Sequence, residues 1–180
     1  MKKMKKYFVI LICIILVCCG GCREKNKNGN IEYISDQVKE TDEEYTEKEL
    51  EKIQTGIRQW AEGFLMVGSD VTDEERRLIN QSFDKCIVSE EDRKKVAEDR
   101  QEFYEDSYIK IGLIDTNIED ARKVKYEDEE LGKVTCEIQI YGTRNSNRFQ
   151  RKYDLELVIS FEDSVSVKEI DKIDWNSAEF

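Results

Sequence analysis

From Phe149 to Phe161 the chain sets Phe149, Arg151, Tyr153, Leu155, Leu157, Ile159 and Phe161 at every second position. A repeat of two is the spacing of a β-strand, whose side chains point alternately to opposite faces. A strand this long with one oily face needs strand neighbours and a cover for that face. Val134, Cys136, Ile138 and Ile140 supply one neighbour, with a turn expected from Arg144 to Arg148. Val165, Val167, Ile170, Ile173 and Trp175 supply another after a turn at Glu162 to Ser164. The offset between Val167 and Ile170 breaks the alternation as a bulge would. Ile109, Ile111 and Leu113 alternate ahead of a ragged strand from Ile118 to Tyr126, which a turn over Glu127 to Gly132 closes.

Before Asp106 the apolar spacing is three and four, the period of helices. Thr46-x-x-Glu49 has the form of a capping box. Leu50, Ile53, Ile57, Trp60, Ala61, Phe64 and Leu65 then form one stripe, ended by Gly68 and Ser69. Thr72-x-x-Glu75 opens a second helix that buries Leu78, Ile79, Phe83, Cys86 and Ile87. Ser89 caps a third, with Glu90, Glu91 and Asp92 in its first turn, where the helix dipole favours negative charge. Val96, Ala97, Phe103 and Tyr104 are its apolar residues, and its charged middle marks it as peripheral. Helices followed by a meander of strands give an α+β domain over residues 46–180, with three N-terminal helices covering an antiparallel sheet of four to five strands.

The front of the chain has a different logic. Lys2, Lys3, Lys5 and Lys6 precede an apolar run of 13 residues, Tyr7 to Cys19, then Gly20, Gly21 and Cys22. A spanning helix takes about 20 apolar residues, so this run is short for one and right for a secretory leader. The order of charge, apolar run, small residues and cysteine resembles the lipobox of bacterial lipoproteins. That resemblance implies a leader over residues 1–21, lipidation of Cys22 and a protein held on the extracytoplasmic face of the cell membrane. Cys19 stands where the pattern usually has Leu, and is itself a second lipidation candidate; Cys18 is a weaker third. An uncleaved N-terminal anchor is the alternative. Residues 22–45, rich in Asn, Lys, Glu and Asp with few apolar residues, read as a flexible tether of roughly 25 Å reach. Docking of Ile31, Tyr33 and Ile34 on the domain is the other possibility.

Three helices, a long antiparallel sheet and a terminal Ile170-x-x-Ile173-x-Trp175 strand together resemble the NTF2-like (cystatin-like) fold, across about Thr46 to Trp175. The resemblance implies a curved sheet. Among its extracytoplasmic members are VirB8-type and TcpC-type components of conjugation machines. Enzymes of that fold use a cone-shaped pocket on the concave face, with an Asp or His as base. Here the face would carry Val134, Cys136, Ile138, Ile140, Tyr153, Leu155, Leu157 and Ile159, a composition that suits a filled core better than a pocket.

Charge and composition narrow the rest. The net charge is −11, and −15 once the four leader lysines are gone, which argues against nucleic-acid partners. The chain has no histidine, the commonest general base and metal ligand, and no proline for a stiff stalk. No catalytic residue, cofactor or metal site is assigned. The acidic runs at 42–44, 73–75 and 127–130 lack the alternating ligands and central glycine of a calcium loop. Cys86 and Cys136 fall on inward faces, and free thiols are preferred over a disulfide. Arg144, Arg148, Arg151 and Lys152 form a basic cluster at an expected hairpin tip, a candidate contact for lipid headgroups or an acidic partner. Tyr141, facing away from Cys136, could join an interface.

Three functions fit. The first is a non-catalytic, membrane-tethered interaction domain, part of an envelope assembly such as a conjugation or secretion apparatus, with a protein partner and a possible homo-oligomer. The second is a lipid-anchored binding protein or isomerase-like enzyme, which a cavity above about 300 Å³ with an inward carboxylate would favour. The third is an immunity or exclusion lipoprotein whose acidic surface suits a basic target.

Overall fold

Thr46 and Glu49 satisfy each other's amides at the start of α1 (Glu47–Trp60): the Glu49 N–H donates to Thr46 Oγ1 at 3.3 Å and the Thr46 N–H to Glu49 Oε2 at 2.8 Å. In this computed structural model, which describes residues 33–161 and 164–180, Thr72 and Glu75 repeat the arrangement for α2 (Asp73–Cys86). Ser89 caps α3 (Glu90–Tyr104) through its hydroxyl, which accepts from the Asp92 N–H at 3.1 Å. The expected leader, Cys18, Cys19 and Cys22, and Glu162 and Asp163 of one expected turn, lie outside the described residues.

Beyond Trp60 the backbone widens into a π turn, Ala61–Leu65, in which the Met66 N–H reaches back to Ala61 O at 3.3 Å. The stripe does not stop at Leu65: Phe64, Leu65, Met66 and Val67 are all buried, a run of four that no α-helical face could present inward. Gly56 lets α1 lie close to the start of the last strand. A Cβ there would sit 2.3 Å from Val165 Cβ, inside any permissible contact.

The sheet runs in the order β1 (Lys39–Glu40), β2 (Ile109–Tyr126), β3 (Glu129–Arg144), β4 (Asn147–Ser160) and β5 (Ser166–Glu179), every neighbour antiparallel. It curls into a half-barrel behind the three helices, so the molecule is α+β. Two of the hairpin turns are tighter than expected. Glu127 and Asp128 alone join β2 to β3, and Asn145 and Ser146 alone join β3 to β4. Asn145 and Ser146 both have positive φ, 51° and 73°, the sign at both central residues that matches a hairpin's twist. Arg144 and Leu131, assigned to turns from the sequence, are strand residues.

The ragged reading of β2 has a physical cause. Two register shifts, one between Ile111 and Leu113 and one between Ile118 and Asp120, each insert a residue and move the following side chains to the other face. Ile109 and Ile111 are therefore followed inward by Ile114, Thr116 and Ile118, while Leu113 is turned out and 59% exposed. In β5 the bulge expected between Val167 and Ile170 is present, with Lys168 unpaired between Val167↔Ile159 and Glu169↔Val158. The helix-facing side of β3, β4 and β5 packs on Ile53, Ile57, Trp60, Phe64 and Phe83 as the main core. Helix α3 is tied in by long side chains: Phe103 stands edge-on to Phe149 at 5.2 Å, and Arg100 Nη2 donates to Phe64 O at 2.7 Å. Ala97, expected on its apolar face, is exposed.

A second, smaller core lies on the opposite face of the sheet, where Val124, Leu131 and Val158 meet Ile34, Val38 and Tyr126. It is covered by the segment before α1. Residues Ile34–Asp36 make one 3-10 turn whose amides at Ile34 and Ser35 donate to the Glu169 carboxylate, 2.9 Å each. Thr41 follows by donating its N–H and its hydroxyl to Lys123 O at 3.2 and 3.0 Å. The packed body thus includes Tyr33 onward, and the second half of the expected tether is part of the fold.

Candidate functional site

The concave face is filled. Val134, Cys136, Ile138, Ile140, Tyr153, Leu155, Leu157 and Ile159 are all buried in the main core. On the same face Arg151 is 1% exposed, with Nη2 at 2.6 Å from both Asp99 oxygens of α3. Trp175 Nε1 donates to the same carboxylate at 3.0 Å, and the guanidinium lies 4.6 Å from the Phe103 ring centre. Burial pushes the Tyr153 hydroxyl up to about 12, against the opposing pull of Arg151, so it is neutral.

The basic cluster expected from Arg144, Arg148, Arg151 and Lys152 is dispersed by strand alternation. Arg151 faces the core. Arg144 donates to Ser107 Oγ at 2.9 Å and Glu102 O at 3.1 Å, tying the hairpin to the end of α3. Lys152 lies on the outer face between Glu137, at 2.6 Å, and Asp154, at 3.3 Å. Arg148 is exposed. Cys86 and Cys136 are buried with no bond between them. The Cys86 thiol donates to Ser82 O and Val167 O. Burial, reinforced by Glu119 and Asp154, raises the Cys136 thiol to about 12, far from a nucleophilic thiolate. Tyr141 is exposed, and its hydroxyl bonds Gln139.

On the outer face the carboxylates of Glu119, Glu137 and Asp154 lie within 4.8 Å of one another, a spacing that could hold a cation. The Lys152 ammonium already bridges two of them, and with Gln139 it draws the Glu137 carboxyl below its usual range.

Two hollows among the described residues are large. One, about 510 Å³, is lined by α2, α3 and Glu105 just past its end, and holds Asp84, whose carboxyl is raised by burial against the pull of Arg100 and Arg93. It meets the size set for a ligand pocket but is not the cone of the sheet. The other is a groove of about 920 Å³ between the loop after β1, the first turns of α1 and residues 117–122 of β2. Glu40 lines it from β1, Asp42, Glu43 and Glu44 from the loop, Glu47 and Glu51 from α1, and Glu119 and Asp120 from β2. Arg122 is the one basic residue among its lining, already paired with Glu40 at 3.2 Å and Asp120 at 2.9 Å. Tyr45, Leu50, Ile118 and Ala121 give it an apolar floor.

No family model, curated protein or solved structure matches this chain. The groove was not visible as a site in the sequence. Glu40 to Glu51 are some 70 residues from Glu119, and only the fold brings them together. Its one sequence signal was the acidic run 42–44, which lacks the ligand pattern of a calcium loop.

Proposed function

We propose that this chain is the extracytoplasmic interaction domain of a bacterial cell-envelope lipoprotein, tethered through Cys22, with an NTF2-like sheet that recognises another protein and carries out no catalysis. The filled concave face carries the non-catalytic part of the reading. Where a cone pocket would open, Arg151 and Trp175 both donate to Asp99, and Phe103 stands edge-on to Phe149. Service in a conjugation or secretion assembly is the role that the suggested fold family brings with it. The tether rests on the order Lys2 to Lys6, the apolar run, Gly20-Gly21 and Cys22. Two acyl chains suffice to hold a domain on a bilayer, since each buried CH₂ contributes about 0.8 kcal/mol.

Fractionation of cells expressing the chain tests this. Wild type is expected with membranes, labelled by palmitate, and Cys22→Ser in the soluble fraction without label. Label and retention in Cys22→Ser that vanish in Cys19→Ser would move the anchor to Cys19. Unlabelled wild type held in membranes would replace lipidation with a protein anchor, and a cytosolic wild type would end the reading.

A further inference from the structure

We propose that the acidic groove beside β2 is a docking site for a basic, extended peptide segment of the partner, which adds to the sheet as a further strand. This rests on the interaction role proposed above and names the chemistry of the partner. Three observations converge on it. First, the edge of β2 is open at the groove: β1 covers only Val124 and Lys125, Gln54 Nε2 caps Thr116 O, and Thr41 caps Lys123 O. Between these, residues 117–122 have no strand neighbour on that side among the described residues, so their edge amides and carbonyls are available for pairing.

Second, the charge selects the occupant. Eight carboxylates against Arg122 make the groove strongly negative. A second copy of this chain pairing edge to edge would bring Glu119 and Asp120 against their own counterparts, which like-charge repulsion opposes. A strand bearing Lys or Arg gains instead, and the field speeds its arrival. Third, Leu50 and Ile118 on the floor, neither fully buried, offer apolar contact to the alternate side chains of such a strand. Alternating basic and apolar residues therefore suit both layers of the groove.

Fluorescence anisotropy on the full chain, with a labelled peptide of four Lys-Val repeats, tests the proposal. Binding is expected, with Glu-Val repeats not binding. Lys-Pro repeats, equal in charge but lacking every second amide donor and with φ at each proline held away from the strand range, should bind at least about tenfold more weakly. Glu51→Lys and Glu119→Lys, both exposed, should each weaken the Lys-Val peptide about tenfold or more, while Glu98→Lys on α3 leaves it unchanged. No binding at low salt overturns the proposal. So does equal affinity for the Lys-Pro peptide, equal weakening by Glu98→Lys, or self-association of the chain that Glu119→Lys abolishes. The fractionation result stands apart: a membrane-held, palmitate-labelled chain that ignores the Lys-Val peptide sinks this proposal alone.

Discussion

Arg151 is the most exacting residue in the molecule, because a guanidinium that is 1% exposed has its charge balanced by one carboxylate from a helix 52 residues away in sequence. Two substitutions separate what the pair contributes from what breaking it costs. Asp99→Ala leaves the buried cation alone and is expected to lower stability by about 3 kcal/mol in urea titration. Arg151→Met fills the space and leaves Asp99, which is partly exposed, free to rehydrate. It is expected within about 1 kcal/mol of the parent, since replacing a buried ion with a fitted apolar side chain is often neutral. Equal losses in both would mean that packing, not charge, sets the site. Leu157→Asp places an unpaired charge in the middle of β4 and is expected to leave no cooperative unfolding transition at 25 °C. A variant that kept its midpoint would refute the inward register of that strand.

At the scale of elements, the segment from Ile34 to Thr41 is held by the Glu169 carboxylate at its start and by Lys123 O at its end. With Glu169→Ala the Ile34 and Ser35 amides lose their acceptor, but they can return to water if the segment lifts. The expected outcome is local: amides of 34–41 exchange rapidly while β3 and β4 keep their protection. Unchanged protection over 34–41 would assign the hold to Ile34 and Val38 instead. The α1 cap has a pH signature. Its hydrogen bonds to Thr46, with help from Lys123, draw the Glu49 carboxyl down to about 2. A lowered carboxyl stabilises the folded form above its ordinary value near 4.5, and that contribution is lost as the pH falls through the folded value. The Thr46 amide, which donates to that carboxylate, should therefore keep its capped chemical shift at pH 4 and lose it approaching pH 2; loss by pH 4 would count against the box.

Those elements also show what periodicity can and cannot convey. The capping boxes at Thr46 and Thr72, the β4 alternation and the bulge after Val167 were legible because each is written within a few neighbouring residues. Leu113 was misplaced because the register shift after Ile111 reverses which parity faces inward. Val158, which falls outside the alternation of Leu157 and Ile159, belongs to a second core on the other face of the sheet. Arg151 was counted with its basic neighbours, although its place in the strand pointed it inward.

For the whole molecule, protection should grade outward from the centre. Strands β3 and β4, paired on both sides, are expected to exchange slowest in native-state hydrogen exchange, α3 faster, and the segment 34–41 fastest. A uniform rate would mean that the domain opens only as one unit. The order of elements, helix starts and most inward residues follow from the sequence alone, since backbone preference and side-chain period act over a few residues. What the tertiary structure decided is the carboxylate that meets Arg151, the residues that cover Val124 and Leu131, and the eight acids that share one groove. Each depends on groups tens of residues apart in the chain, and such distances are set only when the sheet curls and the register shifts choose its faces.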